Sequence, residues 1–338
     1  MQTLRPRYHF TPQKGWINDP NGLIQFRGQT HVFFQHNPHA AVWGPMHWGH
    51  AVSGDLLRWQ ELPIALAPDQ WYENNGGCWS GSAVEAGGLL WLFYTSVSHK
   101  LGQTVSVATS ADGIHFEKHA HNPVIRAFPP EGSGDFRDPK VLKIGDTWHM
   151  ALGSGKDGVG KILRYTSKDL LRWDYAGVLY ESAAHGPVLE CPDFFPLSDR
   201  YVLLFSRMNR AEHSTIFVVG NFNGQTFLPL QEFSPEAGPH FYAPQTFLDH
   251  RGRRLLIAWC YSWAIKPDPR AQWNGALTIP REVNYLDGRL ALYPVEEARH
   301  LLRAAEPGTE LLRDGAITEG FINGGERSFT RWERDISK

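Results

Sequence analysis

One phrase, a polar turn followed by a large apolar or aromatic residue, recurs five times along the 338-residue chain. It reads SGDLLRWQEL at 53 to 62, SADGIHFEKH at 110 to 119, SKDLLRWDYAG at 167 to 177, FNGQTFLPL at 222 to 230 and LDGRLALYP at 286 to 294. With Trp59, Phe116, Trp173, Phe227 and Leu290 as markers, the intervals are 57, 57, 54 and 63 residues. A near-constant period restricts the chain to folds made by repeating one supersecondary unit. Between the markers lie short β-rich runs such as HVFFQ, LLWLFYTS, YVLLFS and RRLLIAWC, punctuated by Gly, Asn and Asp. Four-stranded units repeated about an axis form a β-propeller, which protects its edges by closing on itself. The pattern therefore predicts an all-β, five-bladed β-propeller over residues 1–295, with a β-sandwich as the competing fold.

After Pro294, the segment VEEARHLLRAA places Val295, Ala298, Leu301 and Leu302 at helical spacing. Residues 296–338 are too few for a second full domain, so a short helix and strand appendage is expected. Lys plus Arg (33) nearly balances Asp plus Glu (35), and no run of like charge would follow a nucleic-acid backbone or an anionic membrane. The start MQTLRPRYHF lacks an apolar leader and the longest apolar runs are strand-sized, so a soluble, cytoplasmic chain is expected. Three scattered cysteines, without a Cys-x-x-Cys pair, support neither a disulfide framework nor a thiolate zinc site. His36, His39, His47 and His50 cluster without a completing acid or thiol and read as hydrogen-bonding loop residues, so no metal or cofactor is expected. GSGKDGVGK at 153 to 161 lacks phosphate-loop spacing and reads as a hairpin.

Polar residues keep step with the repeat. Asp19, Ser80, Asp138 and Glu190 precede successive markers by 40, 36, 35 and 37 residues, which predicts matching strands in successive blades. Should those strands be innermost, the three acids meet in the central channel. Carboxyls crowded together repel, so the arrangement implies a task. Cleavage of a glycoside needs such a set, one carboxylate to attack or activate water and one acid to protonate the leaving oxygen. Trp43, Trp48, Trp79 and Trp263 are candidates for stacking on sugar rings, and Asn18, Gln35, Ser80 and Arg137 for holding hydroxyls. Around WGPMHWGH the glycines, proline and histidines predict an exposed loop.

WINDPNG at 16 to 22, FFQHNP at 33 to 38, WGPMHWGHA at 43 to 51, WSGS at 79 to 82, FRDPK at 136 to 140, ECPD at 190 to 193, FYAPQ at 241 to 245 and IPRE at 279 to 282 follow one another in order. Over roughly residues 8 to 300 the chain resembles glycoside hydrolase family 32, the invertases and other β-fructosidases, whose catalytic domain is a five-bladed propeller. The resemblance implies Asp19 as nucleophile, Glu190 as general acid and base, and Asp138 as the carboxyl that binds fructosyl hydroxyls. It implies a sugar pocket shaped by Asn18, Gln35, Trp43, Trp79, Ser80, Arg137, Tyr242 and Trp263. The implied reaction is retaining hydrolysis of β-fructofuranosides such as sucrose and short fructans, with carboxyls about 5 to 5.5 Å apart. Sucrose 6-phosphate, longer fructans and transfer to a sugar acceptor stay open, as does an inactive carbohydrate-binding propeller. Lys100, Lys156 and Lys161 are the basic candidates for a phosphate.

Members of that family carry a C-terminal β-sandwich, of which GFINGGERSFTR resembles only the closing strands. Two outcomes are expected for the uncovered propeller face: a second copy in a homodimer, or a tail folded back as a small cap.

Overall fold

In the computed structural model, residues 5–208, 214–261, 263 and 270–333 are described. Five antiparallel sheets follow one another along the chain, opening with the strands Gly15–Phe26, Gly77–Ala86, Phe136–Ile144, Leu189–Leu197 and Tyr242–Leu248. Each opening strand packs against the next, and Tyr242–Leu248 packs back against Gly15–Phe26, so the five form a closed ring around the axis. Later strands of each sheet step outward in order. A short segment, Trp273–Asn274, adds in parallel to the free edge of Gly15–Phe26 and ties the end of the ring to its beginning. The fold is the all-β propeller that the period predicts.

The recurring phrase is the turn between the third and fourth strands. Asp55 Oδ1 accepts the N–H groups of Leu57 and Arg58 at 3.0 and 2.7 Å. Asp112 does the same for Ile114 and His115, Asp169 for Leu171 and Arg172, and Asn223 for Gln225 and Thr226. A short side-chain carbonyl thus replaces the backbone acceptor of a turn. The next residue always turns left-handed: Leu56, Gly113, Leu170 and Gly224 have φ of 64°, 80°, 67° and 92°. The aromatic marker then drops between neighbouring sheets, where the cores lie. Phe116 joins Phe33, Trp48, Leu92 and Tyr94 between the first and second sheets, and Phe227 joins Leu189, Phe205 and Ile216 between the third and fourth.

The expected C-terminal helix is a single 3-10 run, Glu296–Leu301, and the predicted helical continuation is overturned at Arg303. Arg303–Glu306 instead pairs with Thr309–Asp314, because its backbone finds a sheet partner that a short helix end lacks. With Ile317–Ile322 and Arg327–Trp332 these strands make a sixth, four-stranded sheet. It packs at the ring's closing seam, where Leu312 and Phe321 join Phe10, Ile17, Ile279 and Val295. A buried charge cluster pins it there. Arg281, wholly enclosed, donates to Glu236 at 2.6 Å and Glu319 at 3.1 Å, and His9 bridges Asp314 and Glu319 at 2.9 and 3.1 Å. Asp314 also accepts the backbone N–H groups of Arg7, Tyr8 and His9, so the last sheet grips the chain just before the first.

GSGKDGVGK is a hairpin, turning at Asp157 and Gly158. The predicted exposed loop WGPMHWGH is overturned from His47 onward: His47–Ser53 is a buried strand, and Trp48 is fully enclosed with its indole N–H donated to Trp79 O at 3.0 Å. Pairing on both sides with Gln29–Asn37 and Gln60–Leu66 outweighs the turn-forming composition. Trp48 is therefore a core residue, not a sugar platform. His36 bonds Trp16 O, His47 bonds Pro45 O, and His50 meets His31.

Candidate active site

Every opening strand breaks register at the same place. The ladder slips between Ile17 and Pro20, Trp79 and Gly81, Arg137 and Lys140, Glu190 and Asp193, and Tyr242 and Gln245. A β-bulge inserts residues without partners and lets two successive side chains face one side. Asp19, Ser80, Asp138, Cys191 and Ala243 occupy equivalent positions in these bulges. Asp138, Cys191 and Ala243 have φ of 64°, 48° and 49°, a left-handed turn that strains any residue with a Cβ. Pro follows in four of the five, where the slipped ladder asks for no N–H.

This register corrects the phase read from the sequence. Glu190 lies on the matching strand but one residue earlier than Asp19 and Asp138; the equivalent residue is Cys191. Glu190 instead matches Asn18, Trp79, Arg137 and Tyr242. The bulge brings both members of the pairs Asn18–Asp19, Trp79–Ser80 and Arg137–Asp138 to the cavity, which makes a one-residue slip invisible to interval counting.

The consequence is one axial cavity of about 390 Å³, lined by all eleven residues expected to form a site. Asp19, Asp138 and Glu190 supply its carboxyls together with Asp135. Asp19 accepts the Ser80 hydroxyl at 2.6 Å on Oδ2, while its Oδ1 has no protein partner. Glu190 is held from both sides: Arg137 Nε donates to Oε1 at 3.0 Å and the Tyr242 hydroxyl donates to Oε2. Asp138 Oδ2 accepts the backbone N–H of Cys191 at 2.8 Å, and its own N–H is fixed by Thr95 Oγ1 at 2.8 Å. The Cys191 thiol lies 3.4 Å from Asp19 and 3.5 Å from Asp138.

Burial raises the pKa of Asp19, countered by the Ser80 hydrogen bond and reinforced by the Glu190 charge. Asp138 is pushed up to about 7, chiefly by burial; Arg137 opposes the shift, and Glu190 and Asp19 add to it. Burial works against the Arg137 charge, but Glu190, Asp138 and Asp135 outweigh it and raise its pKa. Near neutral pH the cavity thus holds an incompletely ionised carboxyl set, able both to give and to take a proton.

At the mouth, Trp43 and Trp79 meet edge to face at 6.2 Å, and Trp263 stacks on Trp16 at 5.8 Å. Trp43 and Trp263 are about half exposed, so each leaves ring surface for a ligand. Gln35 donates to Cys78 O, and the Asn18 side-chain oxygen accepts the Trp16 indole N–H at 2.7 Å. Gln103, Asp135 and Met208 also line the cavity, and sequence reasoning did not single them out. Asp135 stands two residues before Arg137, next to a motif already in view. Gln103 and Met208 carry no such signal.

Fold and site together define a β-propeller whose axial cavity gathers its acids from separate sheets. Residues 9–294 match the model for the glycosyl hydrolases family 32 N-terminal domain. The chain belongs to that family. It is 41% identical over 321 residues to a sucrose-6-phosphate hydrolase of Escherichia coli, spanning 88% of this chain and 66% of that protein. It is 40% identical over 326 residues to a raffinose invertase of Escherichia coli, spanning 90% and 67%. The Bombyx mori GH32 beta-fructofuranosidase BmSUC1 superposes with a TM-score of 0.88 at 28% identity, over 98% of this chain and 89% of that one. The chain spans 64 to 66% of the length of the sucrose-6-phosphate hydrolases it matches in Escherichia coli and Zymomonas mobilis. Among the described residues no helix is long and apolar enough to cross a membrane.

Proposed function

We propose that the chain is a retaining β-fructofuranosidase, with residues 1–295 as its catalytic unit and 296–338 as an appendage. The observation that carries this reading is the convergence of Asp19, Asp138 and Glu190 from three separate sheets on one cavity, with Asp19 enclosed and tied to the Ser80 hydroxyl through Oδ2 alone. Asp19 Oδ1 attacks the anomeric carbon of a terminal fructosyl unit as the bond to the bridging oxygen breaks. Glu190 gives its proton to that oxygen, and the leaving sugar departs as an alcohol. Glu190 then takes a proton from water, which attacks the same carbon and returns the electron pair to Asp19. Asp138, locked in place by its backbone bonds, holds fructosyl hydroxyls. Arg137 and Tyr242 fix the Glu190 carboxyl, while Asn18, Gln35, Ser80, Trp43, Trp79 and Trp263 shape the pocket around the ring.

Relatives named for sucrose 6-phosphate, raffinose and levan support a fructoside as substrate and leave its leaving group open. Proton NMR of the protein with sucrose tests the reading through the anomer first released. Initial β-fructofuranose, lost by about 10³-fold or more in Asp19→Asn, supports it; initial inversion assigns a water-activating mechanism instead. A panel of short fructo-oligosaccharides separates another fructoside specificity from a binding module. A cytoplasmic location and a homodimer belong to the same proposal, and a monomeric sedimentation profile at micromolar concentration removes the dimer.

A further inference from the structure

The cavity does not end at its tryptophans. Trp43, Trp79 and Gln103 form a wall shared with a second groove of about 610 Å³, which continues along Gly44, Asn75 and Gly134. Among the described residues, no Asp, Glu, Lys, Arg or His lines that groove. The cavity itself sets Asp19, Asp135, Asp138 and Glu190 against one described cation, Arg137. That guanidinium has no donor to spare. Its Nε and Nη2 meet Glu190 at 3.0 Å, its Nη1 meets Asp135 at 2.7 Å and Gln103 at 3.0 Å, and its Nη2 also faces the Met208 sulfur at 3.7 Å. None of the three lysines that the sequence offers for a phosphate lines the cavity or the groove. Lys156 donates to Pro130 O at 2.5 Å, Lys161 pairs with Glu181 at 2.6 Å, and the Lys100 ammonium sits 5.7 Å from the Trp71 ring.

We propose that this site selects a neutral leaving sugar and rejects one that carries a phosphate, with Asp135 as the residue that sets the selection; the proposal rests on the fructosidase reading above. A phosphate brought to the mouth meets an excess of carboxyls and, among the described lining residues, no unspent cation, and like charges at short range cost more than any hydroxyl contact returns. The Asp135 carboxylate stands where cavity and groove join, beside Gly134, and is 44% exposed. A neutral sugar loses nothing there. It gains the faces of Trp43 and Trp79 and the amides of Asn75 and Gln103.

The test is kcat/KM on sucrose and on sucrose 6-phosphate at low and at high ionic strength. Sucrose should be favoured by about tenfold or more at low salt, and the gap should narrow as salt screens the repulsion. Asp135→Asn keeps an oxygen for Arg137 and removes the charge, so it should narrow the gap by about threefold or more. Equal rates on the two sugars, or a phosphorylated rate that falls with salt, overturn the proposal. Turnover of neither sugar nor of a panel of short fructo-oligosaccharides overturns the fructosidase reading instead, and calorimetric titration of both sugars then decides the selection. Weaker binding of the phosphorylated sugar upholds it, equal or tighter binding overturns it, and no binding of sucrose overturns both.

Discussion

Asp138 is enclosed, left-handed and crowded by two other carboxyls, three features that a stable fold avoids and a reactive one needs. Its pKa near 7 means that between roughly pH 4 and 7 the unfolded chain releases a proton the folded chain keeps. Its contribution to stability therefore falls as pH rises through that window. Asp138→Asn should stabilise the fold by roughly 1–4 kcal/mol at pH 8 and by little at pH 4, read from denaturant midpoints at both values. A gain that is equal at the two would refute the assignment. Asp19 yields a second expectation. Ser80 holds down the pKa of a carboxyl that must be ionised to attack, so Ser80→Ala raises it further. The acid limb of the kcat/KM profile should move to higher pH, and an unmoved limb would mean that Asp19 does not govern it.

At the scale of elements, two devices repeat and both act through single residues. The Asx turn at Asp55, Asp112, Asp169 and Asn223 starts the fourth strand of the first four sheets, and it is legible because its residue types are few and its spacing is fixed. The bulge in each opening strand is not legible in the same way. A slip of one residue in pairing depends on the facing strand, so Cys191 rather than Glu190 takes the phase of Asp19 and Asp138. The sixth sheet depends on a third device, the enclosed Arg281 between Glu236 and Glu319. Arg281→Met leaves two buried carboxylates without their cation and should cost about 3–5 kcal/mol in urea unfolding. Adding Glu236→Gln and Glu319→Gln should recover part of that loss, because the uncompensated charges go with it. No recovery would point to lost packing against Phe241 and Phe321, over which the guanidinium lies.

For the whole molecule, the ring has one seam, and the sixth sheet covers it. Phe10, Ile17 and Phe34 from the start of the chain meet Ile257 of the fifth sheet and Ile279 and Val295 that flank its last two strands, and Leu312 and Phe321 complete the cluster. A chain ending at residue 302 would uncover these side chains and strand His9 and Arg281, so calorimetry should show loss of the single cooperative transition. An unchanged transition would show that the ring closes unaided. What the sequence by itself determined is whatever repeats or is spelled by local chemistry: the period, the turns, the all-β class and the motif residues that line the cavity. Asp19 and Asp138 were legible because strand phase carries equivalent positions to the axis wherever units repeat, and Glu190 because its motif sits one residue off that phase on the matching strand. What only the tertiary structure decided is whatever depends on a partner distant in sequence. Trp48 is enclosed because two strands flank it, residues 303 to 306 extend because Thr309–Asp314 pairs with them, and Asp135 lines the cavity paired with Arg137. Pairing, burial and charge are properties of neighbours, and the chain acquires those neighbours only on folding.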